Sequence, residues 1–392
     1  MTIYPHQAER LTQAIERDAL GALVATSPEN VAYLTGFRRV YDLMPPDPVL
    51  GVFTRGGVAL IVPAAELSAV VADGVGVDHV VCYGRFHGLL RESASPEVRR
   101  LKAIVAGGSE RPGDALASTL ASLGVESGAV GIDESGLDSM VWQGLVERLA
   151  GCKVNHAARS LAEARRVKGP YEIDCLANAL RIAEESLDAV IQVLDRGMTE
   201  REAALLYAGE VTKRGAGAHC ALVTTGANTW IQAGRPTDRA LRSGELVRLS
   251  VGCSYKGYWG SVTRTAVLGE PAPAVEASYA ALLAAVEAAG VSARPGAPAR
   301  SVFEAAVQSA QKAGLPDWQP PHVGHGIGLR SGEQPLLDAV SSAVLEAGEV
   351  LRVEATHYEV GSLGLAVGDT LLVTSTDSRV LNRSRHDLIV LD

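Results

Sequence analysis

The spacing of apolar positions changes along the chain, and the changes mark its organisation. The opening stretch MTIYPHQAERLTQAIERDAL repeats apolar residues at helical intervals and predicts an amphipathic helix. The apolar run in ALVATSPENVAYLTGF stops at Ser27-Pro28-Glu29-Asn30, a turn that also starts a helix. VLGVFTRGGVALIVP sets two β-branched runs around Arg55-Gly56-Gly57 and predicts a hairpin. HVVCYG, AVGID and CKVNHA predict further short strands, with DALASTLASLG a helix between two of them. Strands alternating with helices predict a compact α/β domain over residues 1–160.

A second regime covers residues 161–392. A long helical pattern from Ser160 to Leu194 is broken at Gly169-Pro170 and resumes at once. A further helix follows, opened by Thr199 and Glu202 in the S/T-x-x-E capping arrangement. Strand-rich segments come next (ALVTTGANT, ELVRLSVGCSYKGYWGSVTRTAVLG), then two more helices, then VGHGIGL, EVLRVEATHYEV and GLAVGDTLLVTS. Two helices plus strands thus occur twice in succession. The order of elements is duplicated although the halves are not a sequence repeat. Two such halves closing face to face would place a site between their sheets.

Composition narrows the classes. A length of 392 residues suits two domains, and 47% apolar with 21% charged residues permits substantial cores. The net charge of −9 argues against a nucleic-acid binder, because counterion release from phosphates needs a cation excess. Five well-separated cysteines without a CxxC pair predict neither a zinc ribbon nor a disulfide framework, and suit a reducing cytoplasm. No basic-then-apolar leader opens the chain, and no apolar run is expected to reach the roughly 20 residues of a membrane span. No membrane partner and no cofactor follow from these features.

The ordered blocks RRVKGPYEI, TGANTWIQAGRPTDRALRSGELV, YKGYWGSVTRT, VGHGIGL, LRVEATHY and GDTLLVT resemble the creatinase, prolidase and aminopeptidase P family. NVAYLTGF is similar to a recurring segment of that family's N-terminal domain. The resemblance covers nearly the whole chain. It implies an N-terminal creatinase-like α/β domain followed by a C-terminal catalytic domain of the pita-bread (α+β) fold. It also implies homodimers and, in most members, a dinuclear metallopeptidase that binds two cations through two Asp, one His and two Glu.

This chain departs from that ligand set. The first Asp position is Ser250, the second is Ser261, and the last Glu position is Gly368. Only His325 and Glu354 are retained. Asp369 adjoins Gly368, but successive strand residues face opposite ways. One imidazole and one carboxylate cannot hold two cations, so no metal is expected. Two histidines of the peptidase pattern are likewise replaced, by Ala233 and Gly332, with Glu333 kept. Creatinase-like members also work without metal, yet the resemblance places their His and Glu at Ala233 and Thr263.

The expectation from these residues is a metal-independent hydrolase or lyase acting on a C–N or neighbouring bond of a small amino-acid-derived substrate. His325 and Glu354 would transfer the protons. The other reading of Glu354 is a structural ion pair with Arg352 or Arg264. His219, Trp230, Gln232, Tyr258, Trp259, His322 and His357 are candidates to shape the substrate pocket, with His357 expected on the strand face opposite Glu354. Arg38 and Arg39 are candidates to grip a substrate carboxylate, solvated surface arginines being the other reading. Ser250 and Ser261 lack a G-x-S-x-G elbow and read as hydroxyls filling vacated metal space. Three alternatives stay open: an Xaa-Pro dipeptidase or aminopeptidase with an atypical site, a noncatalytic peptide-binding protein, and a biosynthetic cyclase or isomerase.

Overall fold

The computed structural model describes residues 4–39, 47–92 and 95–391, which fall into two compact units divided between Arg165 and Arg166. The division lies a few residues beyond the expected boundary because helix Ala158–Arg166 is tied to the first unit. Tyr33 Oη donates to Ala164 O at 3.0 Å, and Arg10 Nη2 donates to Glu163 O at 3.1 Å.

Among the described residues the first unit holds a six-stranded sheet in the order β4-β3-β2-β1-β5-β6. Its strands are β1 (Ala22–Ala25), β2 (Leu50–Thr54), β3 (Gly57–Pro63), β4 (His79–Tyr83), β5 (Gly128–Ile132) and β6 (Cys152–His156). β2 and β3 form the predicted hairpin, with Leu50 opposite Ile61 and Thr54 opposite Gly57. The helices that the apolar pattern did not single out include Pro96–Ala106 and Ser139–Arg148. The first has no buried residue and the second buries only Leu145, so neither shows a strong apolar stripe.

In the second unit the long helical pattern becomes helix Pro170–Ile191, started by Pro170 and by Glu172, whose carboxylate accepts the Gly169 N–H at 3.0 Å. Helix Glu200–Lys213 carries the predicted reciprocal cap. Thr199 Oγ1 accepts from Glu202 N at 3.2 Å, and Glu202 Oε2 accepts from Thr199 N at 2.8 Å. The strands are β7 (Gly217–Thr225), β8 (Leu246–Tyr255), β9 (Tyr258–Leu268), β10 (Gly324–Gly326), β11 (Glu333–Leu336), β12 (Val350–Glu359), β13 (Leu363–Val373), β14 (Ser378–Val380) and β15 (Ile389–Leu391).

The expectation of two facing sheets is corrected here. The strands of both halves join in one sheet, ordered β11-β10-β12-β13-β9-β8-β7, because β13 pairs with β9 where Gly368 meets Thr263. Alternation along the strands then separates the two sides of this sheet. Leu351, Val353, Ala355, Leu365 and Val367 pack with helices Pro273–Ser292 and Ala299–Lys312, while Leu249, Val251 and Val262 pack with the first helix pair. The opposite face carries Arg248, Ser250, Thr263, Arg352 and Glu354. The site lies on one face of a continuous sheet.

Helix Pro273–Ser292 also corrects the sequence reading. It has 20 residues, and 18 consecutive residues of it reach a mean hydropathy of 1.4, enough by length and composition for a membrane span. In this structure Tyr279, Leu282, Ala285 and Ala289 are buried among the core residues of β12 and β13.

Gly260 marks a tight crossing between helix Pro170–Ile191 and β9. A Cβ there would lie 2.3 Å from the Ala179 carbonyl carbon and from Leu180 N. Gly260→Ala is therefore expected to push the helix off the sheet and lower stability by about 1–3 kcal/mol, read as a reduced urea midpoint. An unchanged midpoint would show that the helix yields without loss.

Candidate active site

Three strands bring the polar residues together by parity. On β12 the even residues Arg352, Glu354, Thr356 and Tyr358 share a face, as do Arg248, Ser250 and Ser254 on β8. Ser261 and Thr263 project similarly from β9. Register aligns them, since Ser250 pairs with Thr263, Thr263 with Gly368, and Gly368 with Glu354. On the other side of β12, His325 of β10 stands directly opposite Arg352. Gly324 allows this pairing: at φ +147°, an added Cβ would lie 2.1 Å from Arg352 O.

At the centre Arg352 forms an ion pair with Glu354 Oε2 and donates through the same Nη2 to Thr263 Oγ1 at 2.7 Å. Thr263 Oγ1 donates in turn to Glu354 Oε2 at 2.7 Å. With that proton committed, the 3.0 Å contact between Ser250 Oγ and Thr263 Oγ1 has Ser250 as donor. Ser250 Oγ also accepts from Arg352 Nη2 at 3.4 Å. Burial pushes the Glu354 carboxyl upward, but the Arg352 guanidinium and Thr263 hydroxyl outweigh it and hold the group below the usual carboxylate range. Glu354 is a carboxylate at neutral pH.

His325 Nδ1 lies 2.9 Å from Gly326 O, so this nitrogen carries the proton and Nε2 keeps a lone pair. Burial drives the imidazole below its ordinary value, only partly opposed by the Gly326 carbonyl, and nearby Arg352 adds to the depression. No hydrogen bond joins His325 to Glu354 among the described residues, although each acts on the other's charge. Arg352 stands opposite His325 across the strands and takes the carboxylate. Of the two partners considered for Glu354, the structure selects Arg352, while Arg264 pairs with Asp369 on the opposite face at 2.8 Å.

A cavity of about 780 Å3 opens beside Glu354, lined also by Gln232, Trp318, His322, Thr356 and Tyr358. His357 lines it too, although Val353 and Ala355, of the same parity, lie in the core. β10 pairs with β12 only at Leu351–Val353, so beyond that point the cavity reaches round the strand edge to both faces. Trp318 Nε1 donates to Thr356 O at 2.8 Å and anchors the covering segment there. Arg248, which the sequence reading passed over, is buried and hydrogen-bonds to Tyr358 Oη and the carbonyls of Ile231 and Gln232. Its position two residues before Ser250 was the available signal.

The remaining candidates are dispersed. Tyr258 is corrected as a pocket residue: it faces the helix side, where its hydroxyl donates to Glu172 Oε1 at 3.1 Å. Its strand parity is opposite to that of Trp259. His219 and Trp259 meet near the β8–β9 turn with ring centroids 4.5 Å apart, and His219 Nε2 contacts Ser254 Oγ at 2.7 Å. Neither lines the cavity; nor does Trp230, whose backbone packs against Gly364 while neighbouring Gln232 and Ala233 reach the lining. Arg39 is engaged within the first unit by Glu66 and by Asp47 O at 2.7 Å, and Arg38 is exposed.

These residues do not fit a metal pair. Ser261 Oγ is buried and donates to Val251 O at 3.2 Å. A Cβ at Gly368 would lie 2.9 Å from Val353 O and 3.2 Å from Glu354 Cβ, so a glutamate has no ready space. Among the described residues no cluster of three or more His, Cys, Asp or Glu could hold a metal ion. A divalent cation on Glu354 would also meet the Arg352 guanidinium, a repulsion of about 8 kcal/mol at ~4 Å for an effective dielectric of ~20.

Fold and domain content together make this a two-domain protein of the creatinase–prolidase architecture. The chain belongs to metallopeptidase family M24, matched over residues 174–375, and carries a creatinase/prolidase N-terminal domain over residues 7–167. It is 25% identical over 388 residues to the "Uncharacterized peptidase YqhT" of Bacillus subtilis (strain 168), covering 98% of this chain and 99% of that one. It is 28% identical over 268 residues to the Xaa-Pro dipeptidase of Pyrococcus horikoshii, covering 66% and 76% of the two chains. The solved Xaa-Pro dipeptidase of Bacillus anthracis shares the fold, with a TM-score of 0.81 at 21% identity over 98% of this chain and 99% of that one.

Proposed function

We propose that this chain is a peptidase-class hydrolase that cleaves the C–N bond of a small peptide-like substrate with side chains alone. Xaa-Pro dipeptides are the first candidates. The observation that carries this reading is the ionised Glu354, which lines the cavity while held by Arg352 and Thr263. Family membership supports the hydrolytic class, and the relatives' names support the substrate class. In the reaction a water oxygen bonds to the acyl carbon, the C–N bond breaks, and a water proton goes to the leaving nitrogen. His325 Nε2, unprotonated and opposite Arg352, is the acceptor for the proton released by water. Glu354 holds the charge balance and orients the attacking water. His322, His357 and Tyr358 shape the cavity around the substrate.

A second reading, a metal-dependent Xaa-Pro dipeptidase with an atypical site, is supported by the metallopeptidase family match and by the name of a relative. The test is product formation from a panel of Xaa-Pro dipeptides by the full chain, with and without EDTA. Turnover unaffected by EDTA is expected. Activity abolished by EDTA and restored by a divalent cation would establish the second reading. A ligand-induced rise in Tm without product would instead identify a binding protein.

A further inference from the structure

We propose that the Arg352 guanidinium is a built-in cation of this centre, standing where a metal-dependent relative would place an ion, and that it presents its unused donors to the carbonyl oxygen of the substrate. The substrate half of this proposal rests on the hydrolase reading above; the cation half does not.

Arg352 lies between the two retained ligand positions, opposite His325 across the β10–β12 pair and ion-paired with Glu354 two residues along its own strand. It also reaches Ser250, a third ligand position, at 3.4 Å. One guanidinium therefore touches or faces three of the five ligand positions of the family pattern. All three of its hydrogen bonds, to Glu354, Thr263 and Ser250, use Nη2. Nε and Nη1 make none among the described residues, and the side chain keeps 15% exposure beside the cavity residue Glu354.

A guanidinium in this position can do what an ion does for an amide carbonyl. Its free Nη1 N–H donor can polarise the C=O and stabilise the oxygen as it becomes negative under attack by water. Arg352 is unchanged through the reaction, since the water supplies both the oxygen added to carbon and the proton taken by nitrogen. Lysine would have to divide one ammonium between Glu354, Thr263 and the substrate, so it is a poor substitute. Ser250 and Thr263 suit this arrangement better than the carboxylates of the family pattern. They hold Arg352 through neutral oxygens and leave Glu354 as its single counter-charge.

The test uses the full-length chain and has a metal arm and a rate arm. Elemental analysis after dialysis, and calorimetric titration with Mn2+, Co2+ or Zn2+ alone, should show no tightly held ion. Binding of about one or two equivalents in the micromolar range or tighter would overturn the proposal. In the rate arm Arg352→Ala should lower kcat by about 100-fold or more, and added guanidinium chloride should restore it by on the order of tenfold. Arg352→Lys should recover less than guanidinium does. Retention of rate within about threefold in Arg352→Ala, or a loss that a divalent cation repairs and guanidinium does not, would overturn it. If Arg352→Ala does not fold, Arg352→Lys and the metal arm still decide. If no peptide is turned over, the hydrolase reading fails and calorimetry alone judges the cation claim.

Discussion

Glu354→Gln is expected to lower turnover of a peptide substrate by about 100- to 1,000-fold while KM stays within a few-fold. Glutamine preserves the shape and can still accept from Thr263 and Arg352, so the change isolates the negative charge. Without that charge Arg352 becomes an uncompensated cation beside His325, which makes the imidazole harder to protonate as the reaction proceeds. The wild-type pH profile follows from the two depressed groups. Burial, only partly opposed by its carbonyl partner, holds His325 below 6.5, and Glu354 is held below the usual carboxylate range. Both must be unprotonated, so the acid limb of kcat/KM should fall below pH 6.5 and the rate should be flat through neutrality. Full activity in Glu354→Gln would remove the carboxylate from the mechanism. An acid limb at pH 7 or above would point to a different base.

What the sequence showed and what it concealed divide along local and non-local physics. The hairpin around Arg55-Gly56, the break at Gly169-Pro170 and the Thr199–Glu202 cap were legible because each is decided within a few residues. The loss of ligands at Ser250, Ser261 and Gly368 was legible for the same reason. What replaced them was not. Thr263 reaches Glu354 only because β9 pairs with β13 and β13 with β12, a register set by segments about a hundred residues apart. That same pairing merges the two halves into one sheet, against the expectation of two. Arg352 is an intermediate case: its shared parity with Glu354 was visible, but only the structure shows it facing His325. Tyr258 was assigned to the pocket against its parity with Trp259, an error the strand period could have prevented.

Asp133→Ala should cost the first unit about 3–5 kcal/mol at neutral pH, enough to expose its sheet to hydrogen exchange. Asp133 follows β5 and is fully buried, yet it makes no ion pair among the described residues. Its carboxylate instead accepts from Ser27 N at 3.0 Å, Ser27 Oγ at 2.8 Å, Asn30 Nδ2 at 2.7 Å and Ser135 N at 3.0 Å. These donors come from the turn after β1, the first turn of helix Pro28–Thr35 and the turn after β5, so one side chain locks three segments. Alanine would strand several buried donors at once, each with its own desolvation cost. Burial pushes the carboxyl upward, but the combined donors hold it below its ordinary value of 3.8. A depressed carboxylate contributes stability above its unfolded pKa and loses it as pH falls through the folded one. The gap between wild type and Asp133→Ala should therefore be full at pH 5–8 and shrink below about pH 4. Asp133→Asn, which keeps one acceptor oxygen, should lose roughly half as much. Exchange at the Ser27 and Ser135 amides, which donate to the carboxylate, measures the effect directly. Protection of those amides unchanged in Asp133→Ala would show that the turns hold themselves, without the carboxylate between them.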